Sequence, residues 1–432
     1  MELITKIKNG GYDESFTRLY GRNIVDVRKR YIENIENFNK LFGFKERTCK
    51  RELIMFSAPG RTEIGGNHTD HQRGCVLAAA VSLDIIAVAA KNNDNIIRIK
   101  SAGHGMAQVD LSELEPLSNE TGRSPALIRG IAARFKKIGY NIGGFDAHTT
   151  SDVLKGSGLS SSAAFEVAVC GLMNHLYNDG KMGDVETAIV SQYAENVYFN
   201  KPCGLMDQMA CSVGGFVGID FADPSDPVIE KVDFDFASSG HSLCIVDTGG
   251  SHADLTDEYA SIPAEMKQIA AFFGKGFLRK VAENDFYANI GGLRKKCSDR
   301  AILRGMHFFA DNARAVNEKT ALQNGDFDEF LRLINESGLS SQSYLQNVFA
   351  TSNPAEQGLS LALSLTARIL NGRGAYRVHG GGFAGTIQAF VPDDLLNRYK
   401  SAIEKVFGNG ACYVLSVRPV GGVKVLANNN YN

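Results

Sequence analysis

The chain has 432 residues, 44% of them hydrophobic and 22% charged, with a formal net charge of −2. That length exceeds one ordinary core and suits two domains of roughly 200 residues each. Lys and Arg are scattered without a basic run, which argues against a nucleic-acid partner.

Residues 1 to about 50 are polar, with helical spacing at Tyr31, Ile35 and Phe38, and their role is left open. No secretory leader is discernible between Met1 and Tyr20. The run from Leu53 to Phe56 reads as a short strand that meets a turn at Ala58-Pro59-Gly60. Val76 to Ala90 reads as buried strand material. The longest apolar stretch, Cys75 to Ala90, is interrupted by Ser82 and Asp84 and is too short to span a bilayer, so no membrane association is expected. Ile96 to Ile99 alternates as a half-exposed strand does. Ser124-Pro125 opens a helix, with Ser124 as its N-cap, that carries Leu127, Ile128, Ile131, Ala132 and Phe135 and closes at Gly143-Gly144.

Phe145 to Thr150 predicts a strand, followed by a Gly/Ser loop and a helix from about Ser162 to Tyr177. A further helix covers Val185 to Tyr198, and Phe216 to Phe221 is a strand. After a polar break at Asp223 to Asp226, the apolar pattern restarts at Leu243-Cys244-Ile245-Val246. The second half holds several helices, then a strand at Tyr376 to Val378, a glycine run, and a strand at Thr386 to Val391. Strands and helices mix without regular alternation, so the expected class is α+β, with domains 1–235 and 236–432. The 8 cysteines form no C-x-x-C pair, which suits a reduced, cytoplasmic chain without a zinc or redox motif.

The segment Leu154-Lys155-Gly156-Ser157-Gly158-Leu159-Ser160-Ser161-Ser162-Ala163-Ala164 carries the most chemistry. Glycines let a backbone approach an anion closely, and a helix N-terminus offers unpaired N–H groups and a positive dipole. Together they predict a phosphate cradle. It is not a Walker loop, because no Gly-Lys-Ser/Thr follows the glycines. Near the other end, Gly380 to Gly385 matches G-x-G-x-x-G. The strand expected at Thr386 stands where a dinucleotide site needs a helix. This run is expected to be a tight hairpin whose backbone comes close to a ligand or another loop.

Three segments occur in an order that carries a resemblance. Ala58-Pro59-Gly60-Arg61-Thr62-Glu63-Ile64-Gly65-Gly66-Asn67-His68-Thr69-Asp70-His71 resembles the galactokinase signature, and the Gly/Ser loop resembles the second motif of the GHMP kinases. Arg377-Val378-His379-Gly380-Gly381-Gly382-Phe383-Ala384-Gly385 resembles their third motif. Pro202-Cys203-Gly204-Leu205-Met206-Asp207-Gln208, with Glu195 twelve residues before Asp207, looks like the galactokinase active-site loop. His252 and Tyr259 fit a further segment whose tyrosine lines the sugar pocket.

The resemblance implies a GHMP kinase fold, with an N-terminal domain like ribosomal protein S5 domain 2 and a ferredoxin-like C-terminal domain. It implies ATP-dependent phosphorylation of galactose at its anomeric hydroxyl, with ATP as phosphoryl donor and Mg²⁺ as cofactor. Asp207 and Arg61 would be catalytic. Gly156, Ser157, Gly158, Leu159, Ser160, Ser161, Ser162 and Ala163 would bind the nucleotide, and Ser161 and Glu195 the metal. Glu63, Asn67, His68, Asp70, Gly204 and Tyr259 would bind the sugar, with no protein partner expected. The sequence departs from the pattern at Asn67, where the family carries Glu, and at Glu63, where it carries Asn. Two alternatives stay open: a kinase for galactosamine, N-acetylgalactosamine or galacturonate, and a catalytically silent sugar and ATP sensor.

Overall fold

The computed structural model describes residues 2–21, 24–43, 51–153, 158–250 and 255–428. Its N-terminal segment forms α1 (Glu2–Lys8), α2 (Asp13–Tyr20) and α3 (Ile24–Phe42). Tyr31, Ile35 and Phe38 are the buried stripe of α3 and, with Phe16 and Leu19, cover Met55, Ile86 and Val88 of the adjoining strands. The residues between those, Ile85, Ala87 and Ala89, face the main core instead, as the period of two in a strand requires.

Strand β1 (Ile54–Gly65) pairs with β2 (Cys75–Lys91), the long apolar run read from the sequence. The expected turn at Ala58-Pro59-Gly60 is a bulge within β1, where the register shifts between Pro59 and Arg61. A bulge tolerates proline, which has no N–H to give the ladder. Gly60 is needed because a Cβ there would stand 2.7 Å from the Leu159 carbonyl oxygen.

There follow β3 (Ile96–Ser101), β4 (Met106–Asp110), α4 (Ser124–Lys137) and β5 (Phe145–Ser151). The N-cap of α4 is Arg123 in extended conformation rather than Ser124, and Pro125 fills the first turn, where no N–H is needed. The helix stops well before Gly143, because Gly139 adopts φ +90° directly after it. Next come α5 (Ser161–Tyr177), α6 (Asp184–Tyr193), a π-helical turn at Ala194–Tyr198, α7 (Met206–Val213), β6 (Phe216–Asp220) and β7 (Val228–Val232). Gly171 lets α5 lie close on β1, since a Cβ would meet the Phe56 ring at 2.0 Å.

The second half comprises β8 (His241–Asp247), α8 (Thr256–Phe272), α9 (Glu283–Ala288), α10 (Ile290–Leu293), α11 (Asp299–Gln323), α12 (Phe327–Ser340) and α13 (Gly358–Leu370). It continues with β9 (Ala375–Val378), β10 (Thr386–Pro392), α14 (Leu396–Phe407), β11 (Cys412–Leu415) and β12 (Val423–Lys424). Among the described residues the strands form two sheets. One has eight strands in the order β12-β1-β2-β5-β3-β4, with β6 on β2 and β7 on β6; the other has the order β11-β8-β10-β9. Among the described strands only β3 and β5 pair in parallel. The main core runs through both sheets, taking Phe56, Leu77 and Phe216 from the first and Leu243, Ile245 and Phe390 from the second. We propose residue 235, between β7 and β8, as the domain boundary.

The last part of the chain returns to the first sheet. Val423 and Lys424 pair with Ser57 and Phe56 of β1. Fully buried Arg418 donates to Ser57 Oγ at 2.6 Å and approaches Asp84 Oδ2 at 3.2 Å. Among the described residues no helix is long and apolar enough to cross a membrane.

Candidate active site

The bulge in β1 turns Arg61 toward the first turn of α7. Its Nε donates to Asp207 Oδ1 at 2.7 Å, and one terminal nitrogen lies at the same distance. Another terminal nitrogen donates to the Gly158 carbonyl, while the Arg61 backbone N–H donates to Leu159 O at 3.1 Å. The second carboxylate oxygen of Asp207 accepts from Ser160 Oγ. Ser160 is the N-cap of α5 and sits in the left-handed region at φ 55°, ψ 60°. Burial alone would raise the Asp207 pKa, but Arg61, Ser160 and Lys201 outweigh it and hold the carboxyl below its ordinary value. This corner therefore keeps a charged, hydrogen-bonded carboxylate beside a helix N-terminus.

Ser161, Ser162 and Ala163 form the first turn of α5, and Leu159 and Ala163 are buried. Gly156 and Ser157, with Leu154 and Lys155, lie outside the described residues, as does His252. Gly158 is at φ +72°, and a Cβ on it would approach His379 Cε1 to 3.2 Å. A cleft of about 1000 Å³ opens beside α5, bounded by Ser161, Ser162 and Phe165 at one end and by Ile85, Met106 and Leu127 along its apolar wall.

Glu195 is 2% exposed in the π-helical turn. Its Oε1 accepts from Lys201 Nζ at 2.8 Å, and its Oε2 from Gln208 Nε2 at 2.7 Å and from the Cys203 thiol at 3.0 Å. The Gln208 amide also donates to Glu166 Oε2 at 3.0 Å. Burial, then repulsion from Glu195, raises the Glu166 pKa well above its ordinary value.

The residues of the sugar signature converge on the glycine run between β9 and β10. Asn67 Nδ2 donates to Gly380 O at 2.8 Å and to Glu63 Oε1 at 2.9 Å. Asn67 Oδ1 accepts from Asn347 Nδ2 at 2.9 Å and Ser341 Oγ at 3.3 Å. His68 Nε2 faces Gly381 O at 3.0 Å, and the Tyr259 hydroxyl donates to Gly382 O at 2.8 Å. Each of these glycine carbonyls thus accepts a side chain from elsewhere. Gly382 must be glycine, because at φ +78° a Cβ would stand 2.1 Å from the Asn347 carbonyl. The close backbone approach expected of this run is made to other protein segments.

Because a carbonyl only accepts, His68 Nε2 carries the proton; Nδ1 is then a buried acceptor with no hydrogen-bond partner among the described residues. Burial, aided by His71, pushes the His68 imidazole down to about 4. Asp70 is partly exposed, and its Oδ2 lies 3.5 Å from where a Cβ on Gly204 would be. Glu63 also accepts from Arg377 at 2.9 Å. Burial outweighs Arg377 and Asn67, so the Glu63 pKa is raised. Both of these bonds fall on Oε1, and the Glu63 side chain is 11% exposed. Burial pushes Tyr259 up to about 12.

Glu166, Lys201 and Asn347 were not singled out by sequence reasoning, and Arg377 and His379 were quoted within the third motif without a role. One signal was available for Glu166, the single formally charged residue between Ser161 and Tyr177. Asn347, Arg377 and His379 act through contacts with residues far along the chain, and Lys201 through its pair with Glu195 six residues away.

Two family models match the chain: the GHMP kinases N-terminal domain over residues 126–215 and the galactokinase galactose-binding signature over residues 36–91. A galactokinase of Streptomyces coelicolor is 30% identical over 399 residues, which cover 90% of this chain and 97% of that protein. The crystal structure of Lactococcus lactis galactokinase complexed with galactose matches with a TM-score of 0.73 at 23% identity, over 90% of this chain and 98% of that one. L. major mevalonate kinase in complex with R-mevalonate shares the fold more distantly, with a TM-score of 0.58 at 14% identity over 88% of this chain and 100% of that one. The Streptomyces relative, aligned over nearly all of both chains, joins the two family matches and the shared fold to one conclusion: this chain belongs to the galactokinase family of GHMP kinases.

Proposed function

We propose that this protein transfers the γ-phosphoryl group of ATP to the anomeric hydroxyl of galactose, giving galactose 1-phosphate. The observation that carries the reading is the convergence of Arg61, Asp207 and Ser160 at the N-terminus of α5, beside a cleft large enough for a nucleotide. Phosphoryl transfer needs positioning and charge neutralisation more than covalent chemistry. The cleft takes the adenosine moiety against Phe165 and Leu127. Gly158, Ser160, Ser161 and Ser162 present donors to the phosphates, and Gly156 and Ser157 are assigned to the same cradle by sequence.

The sugar's anomeric hydroxyl takes the place of Ser160 at Asp207 Oδ2. With its pKa held down, Asp207 is a weak base that orients the nucleophile and accepts its proton late, which suits a loose transition state. Arg61 keeps Asp207 ionised and offsets charge on the transferring group. Asp70, with Gly204 beside it, His68 through its free Nδ1, Glu63 through Oε2, and Tyr259 line the sugar side. Asn67 acts by fixing Glu63.

The donor set also fits Mg²⁺. Glu195 already holds the Lys201 ammonium on one oxygen, so a cation is accepted there, and Ser161 adds a hydroxyl. When bound, the ion supplies charge neutralisation to the phosphates.

Galactose is favoured over the modified sugars. The carboxylate that Asn67 lacks is supplied by Glu63, 2.9 Å away, so a uronate would still meet negative charge. The intact Asp207–Arg61 pair disfavours a silent sensor. The test is ATP consumption across aldohexoses, amino sugars and uronic acids, with Asp207→Ala as control. Turnover of galactose, abolished by the substitution, is the expected outcome. Turnover confined to a modified sugar, or none at all, would overturn it.

A further inference from the structure

The N-terminal helices have no part in the chemistry above, yet one of their side chains reaches the wall of the cleft. Arg30 of α3 bridges the middle of β2, at Asp84, and the end of β5, at Thr150. One terminal nitrogen pairs with Asp84 Oδ1 and lies 3.1 Å from Asp152 Oδ2. The other donates to Asp84 O at 2.9 Å and to Thr150 O at 3.5 Å. The backbone N–H of Asp152 donates to the same Asp84 carbonyl at 3.0 Å, so both segments are tied at one point. Thr150, Asp152 and Val153 line the cleft. Val153 also packs under the β1 bulge, 3.0 Å from where a Cβ on Gly60 would be.

The charges at this junction do not balance without Asp152. Asp84 is fully buried and has two cations, Arg30 and Arg418. One of them neutralises Asp84, together with hydrogen bonds from Ser57 and Tyr20. The second positive charge is left for Asp152, whose side chain is 51% exposed at the cleft wall. An unneutralised carboxylate there would repel a polyanionic ligand.

We propose that Arg30 is a positioning residue for the phosphoryl donor: from α3 it holds the 150–153 wall in place and cancels the charge of Asp152 against the nucleotide. This rests on reading the cleft as the nucleotide site. Arg30→Met removes the charge and the fork while Arg418 stays on Asp84, so the fold is retained. Arg30→Lys is the gentler second variant, because one ammonium cannot serve Asp84, Asp152 and Thr150 together. Arg28→Ala is the control, since it breaks the Arg28–Asp13 pair within the helical arm and lies away from the cleft.

The readouts are ADP binding by calorimetry and the separate KM values for ATP and galactose. Arg30→Met is expected to weaken ADP and raise the KM for ATP roughly tenfold, and Arg30→Lys about threefold, as loss of charge-assisted bonds implies. The KM for galactose should stay within about twofold, and Arg28→Ala should bind ADP as the wild type does. ADP affinity unchanged in both Arg30 variants would overturn the inference alone. Equal loss of ADP and galactose affinity would also overturn it, reducing Arg30 to a structural role. Absence of ADP binding by the wild type would overturn the cleft assignment and the inference with it.

Discussion

Replacing Arg61 with methionine tests how the candidate base is held ionised. Two guanidinium nitrogens lie 2.7 Å from Asp207 Oδ1, with the side chains 11% and 31% exposed. Opposite unit charges about 4 Å apart interact by about 4 kcal/mol at an effective dielectric of 20. Discounting by half for solvent at this partly open corner leaves about 2 kcal/mol. At 1.36 kcal/mol per pH unit, the Asp207 carboxyl should rise by roughly 1.5 pH units in Arg61→Met. Burial, the largest influence on Asp207, then dominates, because only Ser160 and Lys201 still oppose it. The assay is kcat/KM for galactose against pH. In the wild type the acid limb should lie below the ordinary carboxylate range, and in Arg61→Met it should move up by about that amount. Arg61→Lys should fall between. The contribution of Asp207 to stability is present above the ordinary carboxylate pKa and is lost as the pH falls through the depressed value. An acid limb that stays in place when Arg61 is removed would refute the argument, whatever happens to the maximal rate.

Three further outcomes are expected. Asn67→Asp turns two donated bonds, to Glu63 and Gly380, into oxygen–oxygen contacts in a buried position and should cost about 3–5 kcal/mol by chemical denaturation; Glu63→Gln in that background should return part of the loss, as a double-mutant cycle would show. Gln208→Met leaves Glu166 and Glu195 without their bridging amide and should cost about 2–3 kcal/mol at neutral pH. Because Glu166 already titrates high and then rises further, that deficit should shrink in denaturation curves measured at lower pH. Gly158→Ala imposes a Cβ at φ +72° against His379 and should cost about 1–2 kcal/mol by thermal unfolding, with a raised KM for ATP.

The parts legible in the sequence are those governed by local pattern. The buried run of β2, the stripe of α3 and the serine-led start of α5 each follow from periodicity or capping, and the structure has them within a residue or two. The α+β class followed from the same reading. The misread parts depend on partners far along the chain. Pro59-Gly60 has the composition of a turn and becomes a bulge only because β2 lies alongside to pair across it. Ser124 was eligible as a cap, but the chain enters α4 one residue earlier. Asn67 looked like a ligand contact because it stands inside the signature. The structure instead commits its amide to Glu63, Gly380, Asn347 and Ser341, three of which lie more than 270 residues away. The carboxyl pair of Glu166 and Glu195 was invisible for the same reason: α5, a π-helical turn and α7 must be assembled before one glutamine can bridge them.

The return of residues 418–424 to the first sheet bears on how the protein is made. Arg418 and Ser57 are 361 residues apart, so a ribosome must add that much chain after Ser57 before this contact can form. Until then β1 keeps an unpaired edge at Phe56 and Ser57, and among the described residues Asp84 has Arg30 as its one cation. A nascent N-terminal half therefore carries an open strand edge, the feature by which growing chains pair with one another. Yield in cells should then depend on how quickly translation reaches this last strand and on chaperones that shield the edge in the interval.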